Sequence, residues 1–184
     1  MQLNQYTALL LVDIQKGMDE WEAAGQSRNQ PQAEANARRL LDHWRQHQWP
    51  LFHIKHNSQV PQSPLVKGKP GNAIKDIVQP QAGETLLEKE VNCAFLGTDL
   101  QQRLEALDVQ SVVIVGLTTD HCVSSTARTA NNLGYDTKVV ADATAAFERT
   151  GPDGRHYSAD DIHSTELACL HDEFAQVIQT EDLL

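Results

Sequence analysis

Apolar residues fall along this chain in two kinds of stretch. Thr7–Val12 (Thr-Ala-Leu-Leu-Leu-Val) and residues 112–115 (Val-Val-Ile-Val) are unbroken runs, the pattern of strands covered on both faces in a parallel sheet. Asp13 closes the first run and Gly116 the second. Elsewhere the period lengthens. Ala33, Ala37, Leu40, Leu41 and Trp44 share one helical face, with Pro31 just ahead of it. Leu100, Leu104 and Leu107 form a second such stripe behind a Thr98–Gln101 capping box. Residues 123–133 read as a helix that Gly134 ends, and Ser158 caps a last helix with Leu167, Leu170 and Phe174 turned inward. Further strands are predicted over residues 51–56, 85–88 (leading to Lys89), 137–141 (ending at Asp142) and 175–179. Residues 14–32, which carry Trp21, and the proline-rich 57–83 read as loops, and 150–157 as a turn-rich excursion.

Strands alternating with helices at this spacing predict an α/β fold: a three-layer, doubly wound sheet, mostly parallel, of about six strands, in one domain over residues 1–184. In such sheets ligands bind in the crevice beyond the carboxyl ends of the strands, where strand order reverses. Asp13, Lys89 and the turn holding Cys122 each stand just beyond such an end. In the order 3-2-1-4-5-6, the first and fourth strands are neighbours at the reversal, so Asp13 and Cys122 face each other and Lys89 reaches in beside them. An acid, a cation and a thiol converging there make a nucleophilic site. Cys122 also stands where a helix should begin, a position that favours the thiolate and offers backbone N–H groups to an oxyanion. Each residue alone has a plainer reading: a turn acid, a solvated lysine, a buried structural cysteine.

Charge and cysteine usage narrow the picture. A net charge of −10, with 22% charged and 40% hydrophobic residues, disfavours nucleic acid and anionic membrane surfaces. Cys93, Cys122 and Cys169 make neither a disulfide framework nor a zinc pattern, and Cys93 and Cys169 read as small apolar fillers. The N-terminus lacks the order of a signal peptide, so a cytoplasmic protein is expected.

Several motifs in order carry a family resemblance. They are Leu11-Val12-Asp13-Ile14-Gln15, Lys89 with Ala94-Phe95-Leu96-Gly97-Thr98-Asp99-Leu100, Gly116-Leu117-Thr118-Thr119-Asp120-His121-Cys122-Val123 with Thr126-Ala127, then Gly134-Tyr135 and Val139-Val140-Ala141-Asp142-Ala143. Together they resemble the isochorismatase-like cysteine hydrolases, over nearly the whole chain. The resemblance implies a Rossmann-like fold, Cys122 as nucleophile, Asp13 as its base and Lys89 as the orienting cation. It also implies a cis peptide between Leu117 and Thr118, with Thr118 and Cys122 as the oxyanion hole. Members that hydrolyse the ether of isochorismate typically lack the cysteine that this chain has. The nicotinamidase branch carries a metal site with an Asp-x-His pair. Here the corresponding strand reads His53-Ile54-Lys55-His56, whose two histidines point to opposite faces, so neither metal nor cofactor is expected. The nearer likeness is to N-carbamoylsarcosine amidase-like hydrolases.

The expected activity is therefore cleavage of a C–N bond in a small amide or carbamoyl compound, with Gln15, Trp21, Phe95, Thr119, His121, His156 and Tyr157 around the substrate. Ether hydrolysis with Asp13 as general acid, and a non-catalytic small-molecule binding domain, are the alternatives. Because relatives associate, a homo-oligomer (dimer or tetramer) is expected, with 150–157 in reach of a neighbour's pocket.

Overall fold

A computed structural model describes residues 3–184. Its centre is a six-stranded sheet of β1 (Thr7–Val12), β2 (Leu51–His56), β3 (Thr85–Lys89), β4 (Ser111–Leu117), β5 (Asp136–Ala145) and, after the hairpin β6 (Arg149–Thr150) and β7 (His156–Tyr157), β8 (Gln176–Ile178). The order is β3-β2-β1-β4-β5-β8, and every pairing in it is parallel. Order reverses between β1 and β4, as the pattern predicts.

The two apolar runs are unbroken because each face of the sheet has its own cover. Ala8, Leu10 and Val12 point to one core, which also holds Val112 and Ile114. There they meet Leu100 and Leu104 of α3 (Leu100–Ala106), Ala127 and Ala130 of α4 (Ser124–Asn132) and Leu170 of α5 (Ala159–Leu170). Leu9 and Leu11 point the other way, to Val113, Val115 and Ala37, Leu40, Leu41 and Trp44 of α2 (Ala33–His47). Trp44 is fully buried and its indole N–H donates to the Thr7 carbonyl at 3.0 Å, so its polar end is satisfied.

Several boundaries differ from the sequence reading. Residues 14–32 are not all loop: α1 (Gly17–Ala23) lies within them and carries Trp21. Its single buried turn, Gly17 and Met18, is too short to leave a periodic signal. The Thr98–Gln101 box does not form. The Thr98 hydroxyl accepts from the Leu100 N–H and donates to the Ala94 carbonyl, while Gln101 turns to Glu105. Leu107, one residue past α3, is half exposed. β5 runs on through Asp142 to Ala145, because pairing with β4 resumes after a register shift as Gly116↔Thr144 and Leu117↔Ala145. Asp142 leaves the ladder sideways, accepting from Asn36 and from the Thr180 N–H and hydroxyl. The excursion at 150–157 contains part of the β6–β7 hairpin. Ser158 does cap α5, in a capping box with Asp161.

At the amino ends of β2 and β3, Glu84 accepts from Arg45 at 2.7 Å, from His53 at 2.8 Å and from the Gln81 N–H at 2.8 Å. Burial pushes its carboxyl up, but Arg45, that N–H and His53 more than reverse this, leaving it at about 2 against an ordinary 4.5. A depressed carboxyl contributes stability above its unfolded value, and this is lost as pH falls through the folded one. Each tenfold change in proton affinity between the folded and unfolded chain corresponds to about 1.4 kcal/mol. Glu84→Gln should therefore be less stable than wild type by on the order of 2 kcal/mol at pH 6, once solvent screening is allowed for. That gap should close between pH 4.5 and 2, read by urea unfolding. A gap undiminished at the acid end of that range would contradict the clamp.

Candidate active site

The reversal point sets three side chains together. Asp13, with φ +52°, turns out of β1 in the left-handed region. Its N–H donates to the Ile54 carbonyl at 2.9 Å, and the side chain is 1% exposed. Lys89 ends β3 beneath the same crevice with a side chain fully sealed from solvent. Its ammonium donates to Asp13 Oδ2 at 2.6 Å and to Cys122 Sγ at 3.3 Å, and it lies 3.3 Å from His56 Nδ1. Among the described residues, Asp13 Oδ1, equally buried, has no hydrogen-bond partner. A carboxylate lone pair without a partner inside a protein is costly, and beside a thiol it is a ready proton acceptor.

Cys122 lies not at the first turn of α4 but in a π-helical turn, Thr119–Val123, that runs into it. The Leu117–Thr118 peptide that leads into this turn is cis. Thr119 inside the turn is fully buried, with its hydroxyl 2.8 Å from His163 Nδ1 of α5. The expectation of an acidified thiol needs correcting. Burial pushes the Cys122 thiol up and the Asp13 charge adds to that, while Lys89 pulls it down by less. Lys89 is raised instead: burial opposes its charge, but Asp13 and Cys122 outweigh it. The resting site is thus a thiol beside a carboxylate–ammonium pair.

Above these groups opens a cavity of about 490 Å³. Asp13, His56, Thr118 and Cys122 contribute to its lining, and Met18, Trp21, Leu65, Leu117 and Phe147 provide its apolar wall. Trp21 meets Phe147 edge-on at 5.9 Å between ring centroids. At the rim Arg149 donates twice to Asp120 Oδ2, at 3.2 and 3.1 Å, and passes 3.4 Å from His121. Asn92 stands beside the thiol, with Oδ1 3.8 Å from Cys122 Sγ.

Of the seven residues expected around the substrate, the cavity is lined by Trp21 and His121 alone. Gln15 is fully buried behind it, bonded to the His56 and Asn72 backbone. Phe95 belongs to the core, stacked on Tyr135 at 6.1 Å, and Thr119 faces α5 rather than the cavity. His156 and Tyr157 sit on β7 of the hairpin, beside Glu148 and under Arg155, while its other strand, β6, brings Arg149 to the cavity. Cys169 is exposed and so fills no core, whereas Cys93 is buried. Asn92, Phe147 and Arg149 line the cavity without having been expected there.

Asp13, His56 and Cys122 bring ligand-type atoms within 4.8 Å of one another. The Lys89 ammonium already stands among them, within 3.3 Å of each. The set therefore fits a protonated amine and not a metal ion. His53, three residues before His56 on β2, turns away to Glu84.

The chain thus carries a thiol, a carboxylate and an ammonium at the reversal point of a parallel doubly wound sheet, and comparison with known proteins shows a family of α/β proteins to which it belongs. The isochorismatase domain model matches residues 7–182, and the chain belongs to that family. The uncharacterized isochorismatase family protein YrdC of Bacillus subtilis is 41% identical over 182 residues, 99% of this chain and 96% of its own. The crystal structure of an isochorismatase-family protein from Chromobacterium violaceum superposes with a TM-score of 0.92 at 37% identity, covering 99% of this chain and 94% of that one. Amidohydrolases are among the matched relatives. One is the maleamate amidohydrolase of Pseudomonas putida, 31% identical over 120 residues, 65% of this chain and 51% of its own. No described helix is long and apolar enough to cross a membrane.

Proposed function

We propose that this hydrolase cleaves the C–N bond of a small amide or carbamoyl compound through a thioester on Cys122. The observation that carries this reading is the buried contact of Asp13, Lys89 and Cys122 on a cavity floor, with Asp13 Oδ1 left without a partner. Asp13 takes the thiol proton as the sulfur attacks the carbonyl carbon. Lys89 offsets the negative charge as it moves from carboxylate to sulfur and oxygen. The oxyanion is received by the Thr118 and Cys122 N–H groups, a contribution worth on the order of 10²–10³ in rate per donor in comparable chemistry. Asp13 then returns the proton to the departing nitrogen as the C–N bond breaks. A water, deprotonated by the same carboxylate, attacks the thioester and releases the acid and the free thiol.

An amide nitrogen as leaving group accords with the activity that the maleamate amidohydrolase relative is named for. Arg149 at the rim suits a substrate whose far end is anionic.

Ammonia release measured across a panel of primary amides and ureido compounds tests the proposal. At least one compound should be turned over, and Cys122→Ala should lower that rate by on the order of 10³ or more. Full turnover by Cys122→Ala on a compound that wild type hydrolyses would exclude a thioester route.

A further inference from the structure

His56 enters neither the triad nor the mechanism above, yet two buried amides clamp its backbone. The Gln15 side-chain amide bonds it twice, donating to the His56 carbonyl at 3.0 Å and accepting from its N–H at 2.9 Å. One side chain just beyond β1 thus takes both the N–H and the carbonyl of the last residue of β2. The Asn72 amide donates to the same carbonyl at 3.0 Å. Gln15 is fully buried and Asn72 nearly so. Both amides fix the backbone from which the His56 side chain projects, and that of Asn72 ties it to Asn57 and Leu65 as well.

What that side chain meets is the Lys89 ammonium. A lysine ammonium has three N–H bonds and no freedom to leave one unmet when it is sealed from water. Lys89 has three acceptors: Asp13 Oδ2 at 2.6 Å, Cys122 Sγ at 3.3 Å and His56 Nδ1 at 3.3 Å. We propose that His56 is a positioning residue, a neutral acceptor for the third proton of Lys89 that keeps the ammonium between Asp13 and Cys122. Without it, the ammonium gains most by turning wholly onto the carboxylate, its only charged partner, and the sulfur loses its counter-charge.

An ammonium can only donate, so in this contact Nδ1 is the acceptor and the proton of the neutral ring lies on Nε2. The charged and titratable groups that face it are Lys89 from β3, Asp13 beyond β1 and Cys122 from the π-helical turn. Burial and the Lys89 charge both hold the imidazole below its ordinary value, against the smaller pull of Asp13 and Val91. It is thus neutral, and able to accept, at pH 7.

This inference deepens the proposed function but is testable without a substrate. The probe is iodoacetamide, with the pH profile of Cys122 alkylation read by peptide mass and thermal melting as a check on folding. In His56→Leu the midpoint for Cys122 alkylation should rise by about one pH unit, making the reaction roughly tenfold slower at any fixed pH below it. His56→Asn, whose carbonyl oxygen can accept, should restore most of the wild-type profile. A folded His56→Leu with an unchanged or lowered midpoint would overturn the inference, as would His56→Asn behaving like His56→Leu. If the midpoints move as stated but no amide is hydrolysed, the function proposed above fails and the role of His56 stands.

Discussion

Lys89→Met should unfold more readily than wild type by about 3–5 kcal/mol, the cost of leaving one member of a buried ion pair without its partner. The ammonium is sealed from solvent and 2.6 Å from a carboxylate that is itself 1% exposed. Methionine fills most of the lysine volume, so packing loss contributes little. The penalty falls on Asp13, which must either stay charged in an apolar surround or take up a proton. A protonated Asp13 can no longer take the thiol proton, and a charged one has lost the cation that offsets charge on the sulfur, so hydrolysis of any wild-type substrate should fall by on the order of 10³ or more. The double variant Asp13→Asn/Lys89→Met should recover much of the stability, because neither charge is then stranded, while remaining inactive. Urea unfolding at pH 7 and ammonia release give the two readings. A Lys89→Met protein about as stable as wild type would mean that the pair is not buried as described.

A comparable effect is expected from a single methyl group. Gly116 has φ +132°, and a Cβ built on it overlaps the Val12 carbonyl oxygen and lies 2.7 Å from the Val12 carbonyl carbon. Val12 and Gly116 are partners in the β1–β4 register, so β1 cannot give way without carrying Asp13 with it. Gly116→Ala should cost about 3 kcal/mol or more, from strain and lost sheet pairing together, and should abolish hydrolysis even where the protein still folds. Gly134→Ala provides the control. Its φ is +92° but nothing lies within 4 Å of the added Cβ, so the loss should be only about 1 kcal/mol, with activity intact. Equal melting points for the two variants would refute the close approach.

The sheet is legible in the sequence because both its faces are buried, which writes each central strand as an unbroken apolar run. Asp13, Lys89 and Cys122 then fall at strand ends by counting alone. The same counting says nothing about which way a side chain points once the strand is over. Gln15 and Thr119 lie within three residues of Asp13 or Cys122 along the chain, and both face backbone or helix instead of the cavity. Phe95 sits in a motif with the right spacing, yet packs on Tyr135. The places of His156 and Tyr157 depend on where an irregular segment folds back, and local hairpin pairing decides that. The thiol departs from expectation for a related reason. Helix-end proximity can be read from sequence, whereas burial and the Asp13 carboxylate, which push the thiol up, are properties of the assembled site.

Most of the cavity wall comes from parts of the chain that do not hold the triad. Ser58, Val60, Gln62, Ser63 and Leu65 belong to the long segment after β2, and Phe147 and Arg149 follow β5. Asp13, Lys89 and Cys122 are set by the packed strand ends and the turn before α4. On the proposed function, bond-breaking equipment and molecular taste are encoded separately. Substitutions in those two segments should then exchange one acceptable guest for another while the sulfur, the acid and the cation keep their spacing.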